Sequence, residues 1–323
     1  MEFEDGIGVE HLVDFEVEYL RYLREDILVD NSPRVAIDGS NGSAGPLAVR
    51  ALEEIGCRVE TLYCNVDGLF PNHPPDNVNS SNLQDLISFV REKKADMGFA
   101  LDGDGDRVIA VTSSGRIVWP DQMMLMFAED ILVSTPGATI VYDVKCSGTL
   151  ASKIGSMGGR PMLTRSGRSY IADALRQNSA PFGGEYSGHL FFADRWFGTD
   201  DGIYAASRMI ELVTRSGKTL DELLDALPTV FATEEITIEV DEESKGLLLS
   251  RFRRHIEQSS ARILSIDGIR VEFPAGWGLL RSSNTGPKLT MRFEANSSEA
   301  LEELQVLFRQ TLNEIAPDME LAF

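Results

Sequence analysis

Apolar residues along this chain switch between two periods, and the switching lays out a fold. Residues 9–29 place Leu12, Phe15, Leu20, Leu23 and Ile27 at helical spacing with charges between them, which predicts an amphipathic helix. RVAID (34–38) is a short apolar run ending in the turn-rich DGSNGSAG. PLAVRALEEIG (46–56) reads as a helix stopped by Gly56, a residue suited to a helix C-terminus. RVETLY (58–63) predicts a second strand, 81–94 a second helix and ADMGFALD (95–102) a third strand. That order predicts parallel pairing through right-handed crossovers.

The pattern then repeats. A Met- and Leu-rich helix is expected over Gln122–Val133, a strand at ATIVYDV (138–144), a helix near 147–155 and a short strand in GGRPMLT (158–164). Helices at 169–177, 201–215 (long and amphipathic) and 219–228 complete the second set. After Pro228 the texture changes. EITIEV (235–240), GIRVEF (268–273), GWGLLRSS (276–283) and KLTMRFEA (288–295) read as strands, with helices over roughly 243–258 and 297–313. The expected fold class is therefore α/β: two consecutive, similar α/β domains with mixed, mainly parallel sheets, followed by a smaller α+β C-terminal domain. Expected bounds are 15–116, 117–230 and 231–323, preceded by an acidic stretch at 1–14.

Charge narrows the functions. The 323 residues carry 30 basic and 51 acidic side chains, a net charge of −21. Such a chain is repelled by nucleic acid and by anionic membrane surfaces, so neither is an expected partner. No apolar run approaches the roughly 20 residues of a membrane-spanning helix. The acidic MEFEDGIGVEH start does not resemble a signal peptide. Three cysteines without CxxC spacing suit a reducing, cytoplasmic location. Against this acidic background stand two cationic islands. Residues 144–172 hold five bases (Lys145, Lys153, Arg160, Arg165, Arg168) and no acid, and residues 274–292 hold three (Arg281, Lys288, Arg292) and no acid. Both suggest sites for a small anion.

The strongest chemical signal is DGDGDR (102–107), three carboxylates alternating with glycines directly after an apolar strand. Three adjacent anions repel unless a cation sits among them, and all-oxygen donors suit a hard ion such as Mg²⁺. An EF-hand is excluded, because its sixth position needs Gly where Arg107 stands and its twelfth needs Glu where Ser113 stands. GGEYSGH (183–189) gathers Glu185, Ser187 and His189 in a glycine-spaced loop suited to hydroxyl recognition. It is not a G-x-S-x-G nucleophile elbow, and nothing in the sequence places a base beside Ser187. RSSNTGP (281–287) combines a guanidinium, hydroxyls, an amide and turn N–H groups into a phosphate cradle. Lys145 and Arg165-Ser166-Gly167-Arg168 are further phosphate candidates. Met123, Met124 and Met126 are expected in the core, His11 and His255 at the surface, and Trp277 in packing near the cradle.

In this order the motifs resemble the α-D-phosphohexomutases, specifically the bacterial phosphomannomutase/phosphoglucomutase branch. DGLFPNHPPDN (67–77), DVKCSGTL (143–150) and RWFGTDDGIYAA (195–206) also look like segments of that family, and the resemblance covers essentially the whole chain. It implies interconversion of hexose 1-phosphates and hexose 6-phosphates through a bisphosphate, using an enzyme phosphoserine and Mg²⁺. It further implies Asp102, Asp104 and Asp106 as metal ligands and Arg107 as an active-site residue. Glu185 and Ser187, with His189 nearby, would read sugar hydroxyls. Arg281, Ser283, Asn284 and Thr285 would hold the non-reacting phosphate, and Lys145 and Arg168 would be further substrate contacts.

The departures from the family pattern are specific. The family has four domains, with the phosphoserine in the first, in a T-A-S-H-N-P-like loop. No such loop occurs here; Asn72-His73-Pro74 has similar letters but no preceding serine. The chain thus resembles the second to fourth domains, and is expected to be inactive alone and to need a separate phosphoserine domain. Arg168 stands where close relatives often carry His, and Gly286 where Thr or Glu is usual. Tyr186 is closer to the Met of dual-specificity members than to the Gln of glucosamine mutases. Two other readings compete: a non-catalytic sugar-phosphate-binding protein, and a haloacid-dehalogenase-type phosphatase with Asp102 as nucleophile. A purely structural role leaves the three polar loops unexplained.

Overall fold

A computed structural model describes residues 9, 11–283, 286–317, 319, 321 and 323. The first unit runs α1 (Glu16–Asp26), β1 (Arg34–Asp38), α2 (Gly45–Glu54), β2 (Arg58–Leu62), α3 (Gln84–Lys93), β3 (Met97–Leu101), β4 (Val108–Thr112) and β5 (Ile117–Val118). Its sheet has the order β2-β1-β3-β4-β5. β1 pairs in parallel with β2 and β3, as the strand–helix alternation predicts, and β4 and β5 add antiparallel pairs. The expected helix over 9–29 forms only from Glu16 to Asp26. Leu12 and Phe15 have helical spacing but are exposed, so no tertiary face stabilises a longer helix.

The second unit runs α4 (Pro120–Ser134), β6 (Thr139–Asp143), α5 (Thr149–Ser156), β7 (Arg160–Thr164), α6 (Arg168–Asn178), β8 (Phe182–Gly184), β9 (Leu190–Phe192), α7 (Gly202–Ser216) and α8 (Leu220–Asp225). Its sheet order, β7-β6-β8-β9, follows the same plan: two parallel pairs, then one antiparallel strand. Helix α7 is expected to be amphipathic. Instead twelve of its fifteen residues are buried, because it packs on β3 and β4 of one sheet and on β9 of the other. Its buried charges are paired, Arg208 with Asp194 at 2.9 Å and Glu211 with Arg195 at 2.5 Å. One continuous apolar core therefore runs through both units, from Leu23 to Leu220, and includes Met123, Met124 and Met126.

The third unit comprises β10 (Phe231–Ala232), β11 (Ile236–Glu239), α9 (Lys245–Ile256), β12 (Arg262–Leu264), β13 (Ile269–Phe273), β14 (Gly276–Ser282), β15 (Lys288–Ala295) and α10 (Ser298–Ile315). All its strand pairs are antiparallel. Helices α9 and α10 pack together and against the sheet, enclosing a separate core around Phe252, Phe293 and Phe308. Two arginines lock this unit to the second. Arg292 donates to Asp121 Oδ2 (2.8 Å) and to the Lys145 carbonyl (2.5 Å), and lies over the Tyr186 ring. Arg270 donates to the carbonyls of Val144 (2.7 Å) and Cys146 (2.9 Å) and lies over Trp277. Among the described residues no helix is long and apolar enough to cross a membrane.

Candidate active site

The DGDGDR loop turns β3 into β4. Buried Asp102 organises it: Oδ1 accepts the amides of Gly105 and Arg107 at 3.1 Å each, and Oδ2 accepts Arg107 Nε at 2.5 Å. Gly105 has φ +78°, and a Cβ there would come 2.3 Å from the Ala44 Cβ, so the position requires glycine. Burial pushes the Asp102 carboxyl upward against the pull of Arg107. Asp104 is exposed and Asp106 half-buried, and one oxygen from each of the three carboxylates lies within 4.8 Å of the others. Mg²⁺ binds oxygen at about 2.0–2.1 Å, so opposite ligands lie about 4.2 Å apart. The three oxygens fit such a hard cation in donor chemistry, and their 4.8 Å limit lies a little beyond that span.

The GGEYSGH loop closes the hairpin between β8 and β9. Its turn is stitched to the DGDGDR loop, since Val108 N donates to Gly188 O at 3.2 Å and Arg107 bridges His189. Buried Glu185 accepts the Gly167 amide (2.5 Å) and the Ser166 hydroxyl (3.3 Å) through Oε1, and faces His189 Nδ1 at 2.9 Å through Oε2. His189 Nε2 lies 3.3 Å from Asp106 Oδ1. Burial alone would lower the imidazole, but its bonds to Asp106 and Glu185 prevail and raise it to about 9. The same contacts hold Asp106 down at about 2 against its own burial. One sequence expectation is corrected here: a ring does stand beside Ser187, whose Oγ is 3.0 Å from His189 Nδ1. The tight turn brings them together, while the two flanking carboxylates favour the charged, proton-bearing form of that ring.

Arg281, at the end of β14, places Nε 3.1 Å from Asp267 Oδ2, and that oxygen also accepts the Ser166 amide at 3.1 Å. The start of the RSSNTGP segment thereby reaches the turn that holds Glu185. Ser283 is buried, and its carbonyl accepts Lys245 Nζ at 3.1 Å. Asn284 and Thr285 lie outside the described residues. Arg168 reaches Asp106 at 2.5 Å and Asp200 at 3.6 Å. Lys145 is buried with Nζ 2.8 Å from Glu235; burial opposes its charge, but Glu235 and Asp143 keep it protonated. A cavity of about 420 Å³ opens between Arg107, Lys145, Ser187, Glu235, Asp76 and Asn79.

The structure thus brings together Asp102, Asp104, Asp106, Arg107, Arg168, Glu185, Ser187, His189 and Arg281 through direct or shared contacts, with Lys145 and Ser187 on one cavity. Asp267, Glu235, Asp200 and Lys245 escape a reading of the sequence. Asp200 lies within the RWFGTDDGIYAA segment without standing out there, and the other three are single residues outside the quoted motifs, so tertiary pairing reveals their part.

Fold and site together define a mixed α/β protein with a polar cleft, carboxylate-lined at one loop and cationic at the others. Sequence models of the family match throughout: "Phosphoglucomutase/phosphomannomutase, alpha/beta/alpha domain II" over residues 17–115, domain III over 119–231 and the C-terminal domain over 235–311. The chain belongs to the phosphoglucomutase/phosphomannomutase family of α-D-phosphohexomutases. It is similar to the phosphomannomutase/phosphoglucomutase of Pseudomonas aeruginosa, 42% identical over 318 residues, covering 98% of this chain and 69% of that protein. A phosphoglucomutase of Neisseria meningitidis is 40% identical over 301 residues, covering 93% and 65%. A crystal structure of a phosphoglucomutase/phosphomannomutase family protein from Burkholderia thailandensis superposes with a TM-score of 0.89 at 40% identity, covering 96% of this chain and 66% of that one. The chain spans about two thirds of the length of these relatives.

Proposed function

We propose that this chain is the metal-holding and substrate-binding part of a phosphohexomutase that interconverts hexose 1-phosphates and hexose 6-phosphates through a hexose bisphosphate. The nucleophilic serine comes from outside these 323 residues, whose sequence holds no T-A-S-H-N-P-like loop. The working units are 15–116, 117–230 and 231–323. Asp102, Asp104 and Asp106 hold Mg²⁺, which when bound neutralises charge developing on the transferred phosphoryl group. Arg107 faces the cleft between that loop and the sugar. Glu185 and Ser187 orient hydroxyls, and charged His189 keeps Glu185 and Asp106 ionised. Arg281, Ser283, Asn284 and Thr285 grip the phosphate that is not being transferred, while Lys145 and Arg168 add charge at the cleft. The three free thiols suit a cytoplasmic location.

One observation carries this reading. An unbroken series of contacts runs Asp106–His189–Glu185–Ser166–Asp267–Arg281, lining up three motifs from positions 106 to 281 of the chain. Calorimetric titration with glucose 1,6-bisphosphate and Mg²⁺ tests it. Saturable binding that weakens in Arg281→Ala is expected, and no binding at millimolar ligand would overturn the proposal. Steady turnover of glucose 1-phosphate by this chain alone would overturn the need for an external serine.

A further inference from the structure

The DGLFPNHPPDN segment reaches the cleft through Asp76, yet its Asn72, His73 and Asn77 have no role in the reading above and tie it to the loop proposed to carry the metal ligands. β1 and β3 are parallel neighbours with Asp38 opposite Ala100, so the turns after both strands leave the same edge of the sheet. Asp38, fully buried, accepts the Ser40 amide at 2.8 Å through Oδ1. Ser40 Oγ donates to the Leu101 carbonyl at 2.6 Å, one residue before Asp102. Ser43 N donates to the Gly103 carbonyl at 2.9 Å. The two turns touch so closely that a Cβ on Gly42 would come 2.4 Å from that carbonyl oxygen. Ser40 and Asn41 both hold left-handed backbone, φ +50° and +54°, which their surroundings must maintain.

His73 supplies that support. Its Nε2 lies 3.1 Å from Asp38 Oδ2 and its Nδ1 2.9 Å from the Pro74 carbonyl, so both ring nitrogens face acceptors. The Asp38 hydrogen bond raises the ring above the usual histidine range, outweighing burial. The neighbouring Asn72 donates to Asn41 Oδ1 at 2.8 Å, and Asn77 to the Ala100 carbonyl at 3.1 Å.

We propose that Asp38 and His73 are positioning residues for the metal loop, a clasp of a buried carboxylate and a half-buried ring that fixes the turn against which Leu101–Gly103 is laid, so that cation affinity at Asp102, Asp104 and Asp106 depends on side chains that never touch the cation. The proposal rests on the metal-holding role assigned above. Mg²⁺-type sites demand near-ideal octahedral geometry, and outer partners of metal ligands typically govern about 10–100-fold of affinity.

The test is titration of the 323-residue chain with Mn²⁺, followed by calorimetry and by the Mn²⁺ electron paramagnetic resonance signal. His73→Ala should weaken binding about 10–100-fold. His73→Gln, which keeps one donor toward Asp38, should recover to within about threefold of the parent. A purely structural role would not give that rescue. Ser40→Ala, which removes only the hydroxyl to Leu101, should weaken binding at least about threefold. Parent-like affinity in Ser40→Ala overturns the proposal even if His73→Ala fails to fold, and so does parent-like affinity in a folded His73→Ala. If the parent chain binds no Mn²⁺, the cation site itself is wrong and the clasp falls with it.

Discussion

Arg281 and Asp267 meet with Nε and Oδ2 3.1 Å apart, and the same carboxylate oxygen accepts the Ser166 amide from another unit of the protein. The guanidinium is thereby aimed at the Ser166–Gly167 turn before any ligand arrives. Arg281→Lys should weaken bisphosphate binding nearly as much as Arg281→Ala, because an ammonium cannot reproduce the fork. A loss of about 1.5–3 kcal/mol, or roughly 10–150-fold in Kd by calorimetry, is expected for Arg281→Ala.

Asp104 is the exposed member of the carboxylate triplet. Asp104→Ala should leave the thermal midpoint essentially unmoved, since exposed substitutions usually stay within about 0.5 kcal/mol. Mg²⁺ affinity should fall more than about tenfold, in line with removal of a charged oxygen ligand. Paired melting and metal-titration curves check both halves.

Arg292 and Asp121 form a buried ion pair at 2.8 Å between the C-terminal sheet and α4. Arg292→Met leaves Asp121 buried without its charge partner, which typically costs about 3–5 kcal/mol. Urea unfolding should show the loss, with the tryptophan signal near Trp277 changing before far-ultraviolet circular dichroism.

Asp221 accepts the hydroxyls of Ser113 and Ser114 and the guanidinium of Arg116, tying α8 to the turn between β4 and β5. Despite the opposing effect of its burial, these donors hold its carboxyl well below the usual range. A depressed carboxyl contributes stability above its unfolded pKa of about 3.9 and loses it as pH falls through the folded value. The urea midpoint of the parent should therefore drop more steeply than that of Asp221→Asn between about pH 4 and pH 2.

Much of this architecture is visible in the amino-acid pattern because burial imposes a period. β1, β3 and β6 are short apolar runs next to helical stretches, and their parallel pairing follows from that alternation. β4, VIAVT, is buried throughout and so carries no alternation to announce it. The fate of α7 is also hidden, because its charges read as a solvent face until Asp194 and Arg195 are seen to neutralise them. At the site, the carboxylates and the Glu-Ser-His loop stand out by residue type. Their partners Asp267 and Glu235 do not, because a lone acid in a turn or strand is unremarked until folding sets it against Arg281 or Lys145.

Those pairings also bear on how fast a ligand arrives. Arg281, Lys145, Arg168 and Arg107 are each held by a carboxylate, in a chain whose net charge is −21. The cleft therefore projects little positive field, and a sugar phosphate approaching from solution meets the repulsion of the whole molecule before it meets a cation. Added salt shortens the reach of that repulsion to about 10 Å at 0.1 M. Capture of a phosphorylated ligand should accordingly speed up as salt is first added, the opposite of electrostatic steering, and an anion that binds these cations would have to exchange places with the carboxylates already seated on them.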